Sequence, residues 1–208
     1  MPGFSVSAEY LEALSFIPTP DRYKAHAWLD DQWRGYPRGA ARFWRYGIFP
    51  IGDQSLAVVR ALPAAVNKGK SSIPWQHRTV PATLRGGLLY TPNKTFRWLA
   101  MRDDASAEQH IRKQLARFGN VLYLAVAHPI AVHIQRKPRS FSVPARFVEF
   151  GLQAAPDSQD TLASLLLEGI GGLRAFGLGF VVEDGLVLDM VRTATTGNLA
   201  VNRLIRDD

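Results

Sequence analysis

Residues 62–82 divide the chain into two. They hold Pro63, Gly69, Pro74 and Pro81 with no hydrophobic period, so the stretch reads as a loop or a crossing between units. The chain on either side is built in a similar order. Before the break, a strand is expected over residues 3–10 and a helix over 21–33 with Asp21 as N-cap, stopped by Gly35, Pro37 and Gly39. Strands over 41–49 and 55–61 then flank a Gly52-Asp53 hairpin turn. After the break, strands are expected over 83–90 and 95–101, then a helix over 105–118 with Ser106 as N-cap and Gly119 just past its end. Strands over 121–127, 130–136 and 143–152 follow, then a helix over 158–167, a glycine-rich loop, a strand over 178–183 and a strand-like run, GLVLDMV, from Gly185. No sequence repeat links the halves. Strands and helices in this order nevertheless predict an α+β fold of two tandem ferredoxin-like (RRM-like) domains with antiparallel sheets, over residues 1–80 and 81–208.

The 208 residues are 47% hydrophobic and 21% charged, an ordinary globular balance. Cysteine is absent, which excludes disulfides, thiolate nucleophiles, Cys-ligated zinc and iron–sulfur clusters. The longest apolar stretch, 121–134, is interrupted by His128, Pro129 and His133 and falls short of the roughly 20 residues of a spanning helix. Glu9 and Glu12 near the start argue against a secretory signal. No membrane partner and a cytoplasmic location are therefore expected.

The net charge of +7 is unevenly spread: −3 over residues 1–31, +10 over 32–103, +5 over 104–148 and −5 over 149–208. A localised surplus marks a docking surface for a polyanion. Aromatics such as Trp33, Trp44, Tyr46, Trp75 and Trp98 lie among Arg38, Arg42, Arg45, Lys68 and Lys70 in the middle of the chain, a composition suited both to a core and to phosphate pairing with base stacking. Arg136, Lys137 and Arg139 cluster around Pro138 at a strand end, as a solvated turn or a clamp on an RNA stem would.

Residues 169–179 read GIGGLRAFGLG, five glycines in eleven positions around Arg174. Such a loop can turn several N–H groups toward a phosphate, or it can simply be a tight turn. It lacks the Lys-Ser or Lys-Thr of a phosphate-binding P-loop, and it leads from a helix into a strand, the reverse of a dinucleotide fingerprint. Tyr23 and His26 are three residues apart on the first expected helix and share a face. From spacing alone, a lone histidine on a half-apolar helix is more often structural than catalytic. His77, His110, His128 and His133 sit in no motif, and the five-residue spacing of His128 and His133 across Pro129 is not that of a metal pair.

Three segments together carry a resemblance. The loop resembles the C-terminal glycine-rich motif of CRISPR-associated endoribonucleases of the RAMP superfamily, with matches at Gly169, Gly171, Arg174, Ala175, Phe176, Gly177 and Gly179. Asp21, Tyr23, His26 and Leu29, followed by Arg42-Phe43-Trp44-Arg45, resemble the first helix and aromatic-Arg strand of the E-type members. LRGGLLYTPNKTFRW at 84–98 is similar to the strand and Asn-Pro turn that open the family's second domain.

The resemblance implies tandem ferredoxin-like domains and metal-independent cleavage of precursor CRISPR RNA at the base of the repeat hairpin, with no cofactor and no metal. The nucleotide's 2′-hydroxyl attacks the adjacent phosphate, leaving a 2′,3′-cyclic phosphate and a 5′-hydroxyl. By the same analogy His26 is the acid or base, and Tyr23 helps orient the phosphate. RNA contacts are expected at Arg22, Lys24, Arg38, Lys68, Lys70, Arg136, Lys137, Arg139 and Arg174 and at Gly169, Gly171, Gly172, Gly177 and Gly179. The partners implied are the repeat hairpin or its product and other CRISPR effector subunits. The sequence departs from the pattern in the 29 residues after Gly179 and in having Arg174 where lysine is commoner, so a type IV variant fits as well as a type I enzyme. The competing readings are a non-catalytic scaffold subunit of the same superfamily and a nucleotide-binding enzyme such as an acyltransferase, against which the loop's polarity argues.

Overall fold

The computed structural model describes residues 9–32, 44–66, 74–93, 95, 102–136, 139–155, 159–174, 177–183 and 185–193. The first half comprises β1 (Glu9–Ile17), α1 (Arg22–Gln32), β2 (Trp44–Ile51), β3 (Gln54–Ala61), a one-turn α2 (Pro63–Val66) and β4 (Gln76–Thr79). The second comprises β5 (Thr83–Tyr90), α3 (Asp104–Leu115), β6 (Asn120–Val126), β7 (Ile130–Arg136), β8 (Arg139–Gln153), α4 (Gln159–Glu168), β9 (Val182–Glu183) and α5 over residues 186–193. The sheets are ordered β2-β3-β1-β4 and β6-β8-β5-β9, antiparallel throughout. In each, the first and third strands of a β-α-β-β-α-β unit pair at the centre, the second lies beside the third and the fourth beside the first. The chain is thus two tandem ferredoxin-like units. β7 is an addition to the second: it pairs with the first part of β8, from Arg136↔Arg139 to Ile130↔Ala145, while the rest of β8 pairs with β5 and β6.

Several expectations shift. The first described strand occupies 9–17, residues 3–8 of the expected 3–10 lying outside the described residues, and its odd positions Leu11, Ala13 and Ile17 are buried. β4 lies inside the expected loop. The expected strand over 95–101 falls outside the described residues beyond Thr95, which is in a 3₁₀ turn. The N-cap of α3 is Asp103, whose side chain accepts from the Ser106 N–H, so Ser106 lies within the helix. GLVLDMV is helical from residue 186, not a strand. The Gly52-Asp53 turn holds as expected, with Ile51↔Gln54 closing the hairpin and Gly52 at φ 61°. Among the described residues no helix is long and apolar enough to cross a membrane.

Three apolar clusters hold the units. Ala25 and Leu29 of α1 pack on Ile17, Trp44, Tyr46, Ile48, Ala57 and Val59 of the first sheet. Ile111 and Leu115 of α3 and Leu162, Leu165 and Leu166 of α4 cover Leu84, Leu88, Val148, Phe150 and Leu152 of the second. The third lies in the seam between the opposite sheet faces, where Phe49 and Val58 meet Leu89, Phe147, Phe180, Leu188 and Val191, and the inner face of the β7–β8 hairpin adds Val132, Ile134 and Val143.

Arg60 of β3 crosses the seam. Only 1% exposed, it donates from Nε to Glu12 of β1 at 2.8 Å, and from Nη1 to the carbonyls of Leu166 at 3.1 Å and Val181 at 2.7 Å. Its guanidinium also lies over the rings of Tyr10 and Phe180. Removing one member of a buried charged pair leaves the other unpaired and costs about 3–5 kcal/mol. Arg60→Met is expected to lower the unfolding free energy measured by urea titration by an amount in that range, and Glu12→Gln in the same background to recover part of the loss.

A second buried guanidinium anchors the start of α3. Arg146 donates to Asp104 at 2.6 Å, to the Arg102 carbonyl at 2.7 Å and to the Ala127 carbonyl at 3.0 Å. The Arg146 hydrogen bond is the main reason the Asp104 carboxyl sits below its usual range; the positive charges of Arg146 and His128 add to it. A carboxylate depressed in the folded state stabilises above its unfolded pKa and loses that contribution as pH falls through the folded one. A plot of Tm against pH is therefore expected to fall less steeply below pH ~4 for Asp104→Asn than for wild type.

Candidate active site on the first helix

The site begins at the N-cap. The Asp21 carboxylate accepts from the backbone N–H groups of Tyr23, at 2.8 Å, and Lys24, at 3.2 Å, so α1 starts where the sequence places it. From that start, positions 22, 25, 26 and 29 face the first sheet. Ala25 and Leu29 are fully buried, His26 is half-buried and Tyr23, one turn earlier, is 37% exposed. His26 Nδ1 is hydrogen-bonded to the Tyr46 hydroxyl, and the two rings lie 5.6 Å apart. Tyr46 in turn packs on Trp44 at 5.3 Å. β2 alternates Trp44, Tyr46 and Ile48 toward the helix, so the strand's period fixes the histidine's partner.

A hydroxyl both donates and accepts. Tyr46 can accept from Nδ1–H or donate to a bare Nδ1, so either neutral tautomer and the imidazolium keep the bond. Tyr46 was not among the sequence-derived site residues. Its signal was the in-out alternation of the aromatic strand, which identifies Tyr46 as a helix-facing residue.

The expected RNA contacts divide. Lys24 is exposed beside Tyr23. Arg22 is not a surface cation: it is 6% exposed, its guanidinium donates to the Ile48 carbonyl, and burial brings its pKa down to about 10. It ties α1 to β2. Arg38, Lys68, Lys70 and Lys137 lie outside the described residues. Arg136 and Arg139 pair at the end of the β7–β8 hairpin, with side chains outside those described. α1 packs against β7, so the histidine helix and the hairpin are neighbours. Among the described residues, no three histidine or carboxylate side chains converge to hold a metal ion.

The glycine loop is a packing device. The N–H groups of Gly169, Ile170, Gly172, Gly177 and Gly179 donate to the carbonyls of Leu165, Gly179, Thr91, Arg174 and Leu89 at 2.8–3.0 Å, so those groups are not a phosphate cradle. Gly169, Gly171, Gly177 and Gly179 all have φ between 66° and 86°. A Cβ at Gly171 would strike the Thr91 carbonyl, one at Gly172 the Pro92 carbonyl, and one at Gly177 the backbone N of Ile48. The loop therefore spans from the end of β5 to the strand beneath α1. Arg174 is exposed and reaches the Glu168 carbonyl at 3.3 Å. Gly179→Ala would place a Cβ against the Ile170 carbonyl at φ 73°. Backbone strain alone costs about 1–3 kcal/mol, and a drop in Tm for this variant, with none for Gly52→Ala in open space beyond its own φ strain, would separate clash from strain.

No protein-family model and no curated protein sequence matches the chain. Solved structures do match its fold. Thermus thermophilus Cse3 bound to an RNA representing a pre-cleavage complex aligns with a TM-score of 0.61 at 16% identity, covering 86% of this chain and 100% of that one. CRISPR endoribonuclease Cse3 bound to a 19-nucleotide RNA gives 0.59 at 17% identity, covering 85% and 100%. A chain of a CRISPR RNA-guided surveillance complex gives 0.55 at 16%, also covering 85% and 100%. The sheet orders, the helix-borne histidine and the glycine loop thus sit in a chain whose fold is that of the Cse3-type CRISPR endoribonucleases.

Proposed function

We propose that this chain is a metal-independent endoribonuclease that cleaves CRISPR repeat RNA at the base of its hairpin and stays on the product within an effector complex, with residues 1–80 and 81–208 as its two domains. The observation that carries the reading is His26, held at Nδ1 by Tyr46 beside exposed Tyr23, on the first helix of a fold shared with RNA-cleaving Cse3 proteins. In the proposed step the 2′-oxygen bonds to phosphorus, the bond from phosphorus to the 5′-oxygen breaks, one proton leaves the 2′-hydroxyl and another reaches the departing oxygen. His26 Nε2 carries one of these transfers. Tyr23 orients the phosphate and Lys24 lowers the cost of its developing charge.

The basic hairpin end at Arg136, Lys137 and Arg139, together with Arg38, Lys68 and Lys70, supplies stem contacts that need only phosphates and shape. Arg174 is a surface contact, while Arg22 and the glycines support the site from behind. Placement in an effector complex rests on the surveillance-complex likeness.

The test is end-labelled repeat RNA incubated with protein in EDTA. Wild type is expected to cut once, leaving a cyclic phosphate, and to bind without cutting an RNA with a 2′-deoxy nucleotide at the site. His26→Ala is expected to lose on the order of 10²-fold or more in rate with affinity kept. Tyr46→Phe is expected to lose about 10- to 100-fold and to change the pH profile. RNA bound but never cut by wild type would instead identify a scaffold subunit, and unchanged cutting by His26→Ala would remove the histidine from the chemistry.

A further inference from the structure

The stretch beyond the glycine loop is where the sequence departs from the resemblance, and residues 186–193 of it form α5. Its buried side chains, Leu188 and Val191, do not extend either sheet. They enter the seam, among Phe49 and Val58 of the first sheet and Phe147 and Val182 of the second. β5 makes room for them: a Cβ at Gly87 would stand 2.7 Å from Leu188 Cδ1. One turn beyond Leu188, Arg192 grips Glu149 of β8 side-on, Nε to Oε1 at 2.7 Å and Nη2 to Oε2 at 3.0 Å, and also pairs with Asp189 of its own helix.

We propose that α5, through Leu188 and Arg192, is a positioning element that fixes the angle between the two sheets and so sets His26 against the β7–β8 hairpin. The proposal rests on the endoribonuclease reading for its consequence, though not for its geometry. Two units joined by a seam are free to swing unless the interface is large and apolar. α5 supplies apolar side chains to both sheet faces at once. Its ion pair acts on β8, the strand that leaves the sheet at Arg146 and continues into the hairpin with β7. β7 in turn packs on α1, which carries His26. A contiguous path of packed elements therefore runs from Arg192 to the histidine. Arg192 is 40% exposed, where an ion pair adds little stability; its two parallel hydrogen bonds supply direction. Loss of the pair should change geometry more than folding.

The absence of cysteine makes the geometry directly measurable. Asp53→Cys in the β2–β3 turn and Gln109→Cys on α3, both exposed, give two labelling sites on opposite units for electron-spin distance measurement. The starting protein is expected to show one narrow distance distribution, which Leu188→Asp broadens and Arg192→Ala shifts or widens to a lesser degree. In single-turnover assays Arg192→Ala is expected to cut repeat RNA about 10-fold more slowly with unchanged Kd. The exchanged pair Arg192→Glu with Glu149→Arg is expected to recover most of that rate, which a general loss of stability would not allow. Unchanged distances in both Leu188→Asp and Arg192→Ala would overturn the proposal, as would altered distances with an unaltered cleavage rate. If Leu188→Asp does not fold, the Arg192 variants decide alone. A protein whose distances respond as expected but which never cuts RNA would refute the endoribonuclease reading and leave α5 as the clamp of the seam.

Discussion

The buried guanidinium of Arg60 is a polar link between the halves of this protein. Arg60 meets a carboxylate on β1, two carbonyls from the second unit, and the faces of Tyr10 and Phe180. Five N–H donors in a rigid plane suit such a site, and the three-donor ammonium of lysine does not. The two carbonyls belong to Leu166 at the end of α4 and Val181 just before β9. The group thus satisfies backbone acceptors at the two places where the second unit's chain leaves and re-enters regular structure, which buried carbonyls require. Charge here is a directional fastener, and the apolar seam around it supplies the area.

The glycine loop lies between those two places, and its composition follows from them. It must turn from α4 to β9 while passing within van der Waals range of the β5 end and of β2. Only glycine allows both left-handed φ and carbonyls where Cβ atoms would stand. The sequence pattern that looks like a ligand cradle is then a requirement of close packing, with the N–H groups of Gly169, Ile170, Gly172, Gly177 and Gly179 taken up by protein carbonyls. The loop still matters to the site, because Gly177 lies on the Ile48 backbone, whose carbonyl receives Arg22 from the first turn of α1.

What could be read without coordinates follows from how locally each feature is determined. The Asp21 cap, the Tyr23/His26 spacing, the Gly52-Asp53 turn and the tandem order depend on neighbours within a few residues, and they hold. Features set by the other unit were not legible. β1 carries apolar residues on both faces, since Tyr10 is covered by the second unit's core while Leu11, Ala13 and Ile17 face the first, so simple alternation does not reveal its course to Ile17. β4 is four exposed residues on a sheet edge, with no buried face to give it a period. GLVLDMV has the composition of a strand, but what it packs against is a seam, which accepts Leu188 and Val191 three residues apart on a helix. Arg22 has the sequence of a surface cation and the environment of a core residue, decided by the carbonyl of a strand 26 positions away.

These placements limit where a polyanion can lie. In RRM-type units the open sheet face is the usual RNA platform, yet here Phe49, Val58, Leu89 and Phe147 on those faces are sealed by the glycine loop, the hairpin's inner side and α5. On the proposed reading RNA reaches His26 across α1 and the hairpin beside it, where Lys24 is exposed and the hairpin ends in Arg136 and Arg139. The histidine's partner suits such an approach. A carboxylate at the Tyr46 position could only accept a hydrogen bond, and it would set a negative charge beside an incoming phosphate. The tyrosine hydroxyl holds the imidazole in either protonation state and adds no charge. On the proposed reading the sealed seam and the neutral partner act together, one directing the anion to the helix and the other leaving it unopposed there.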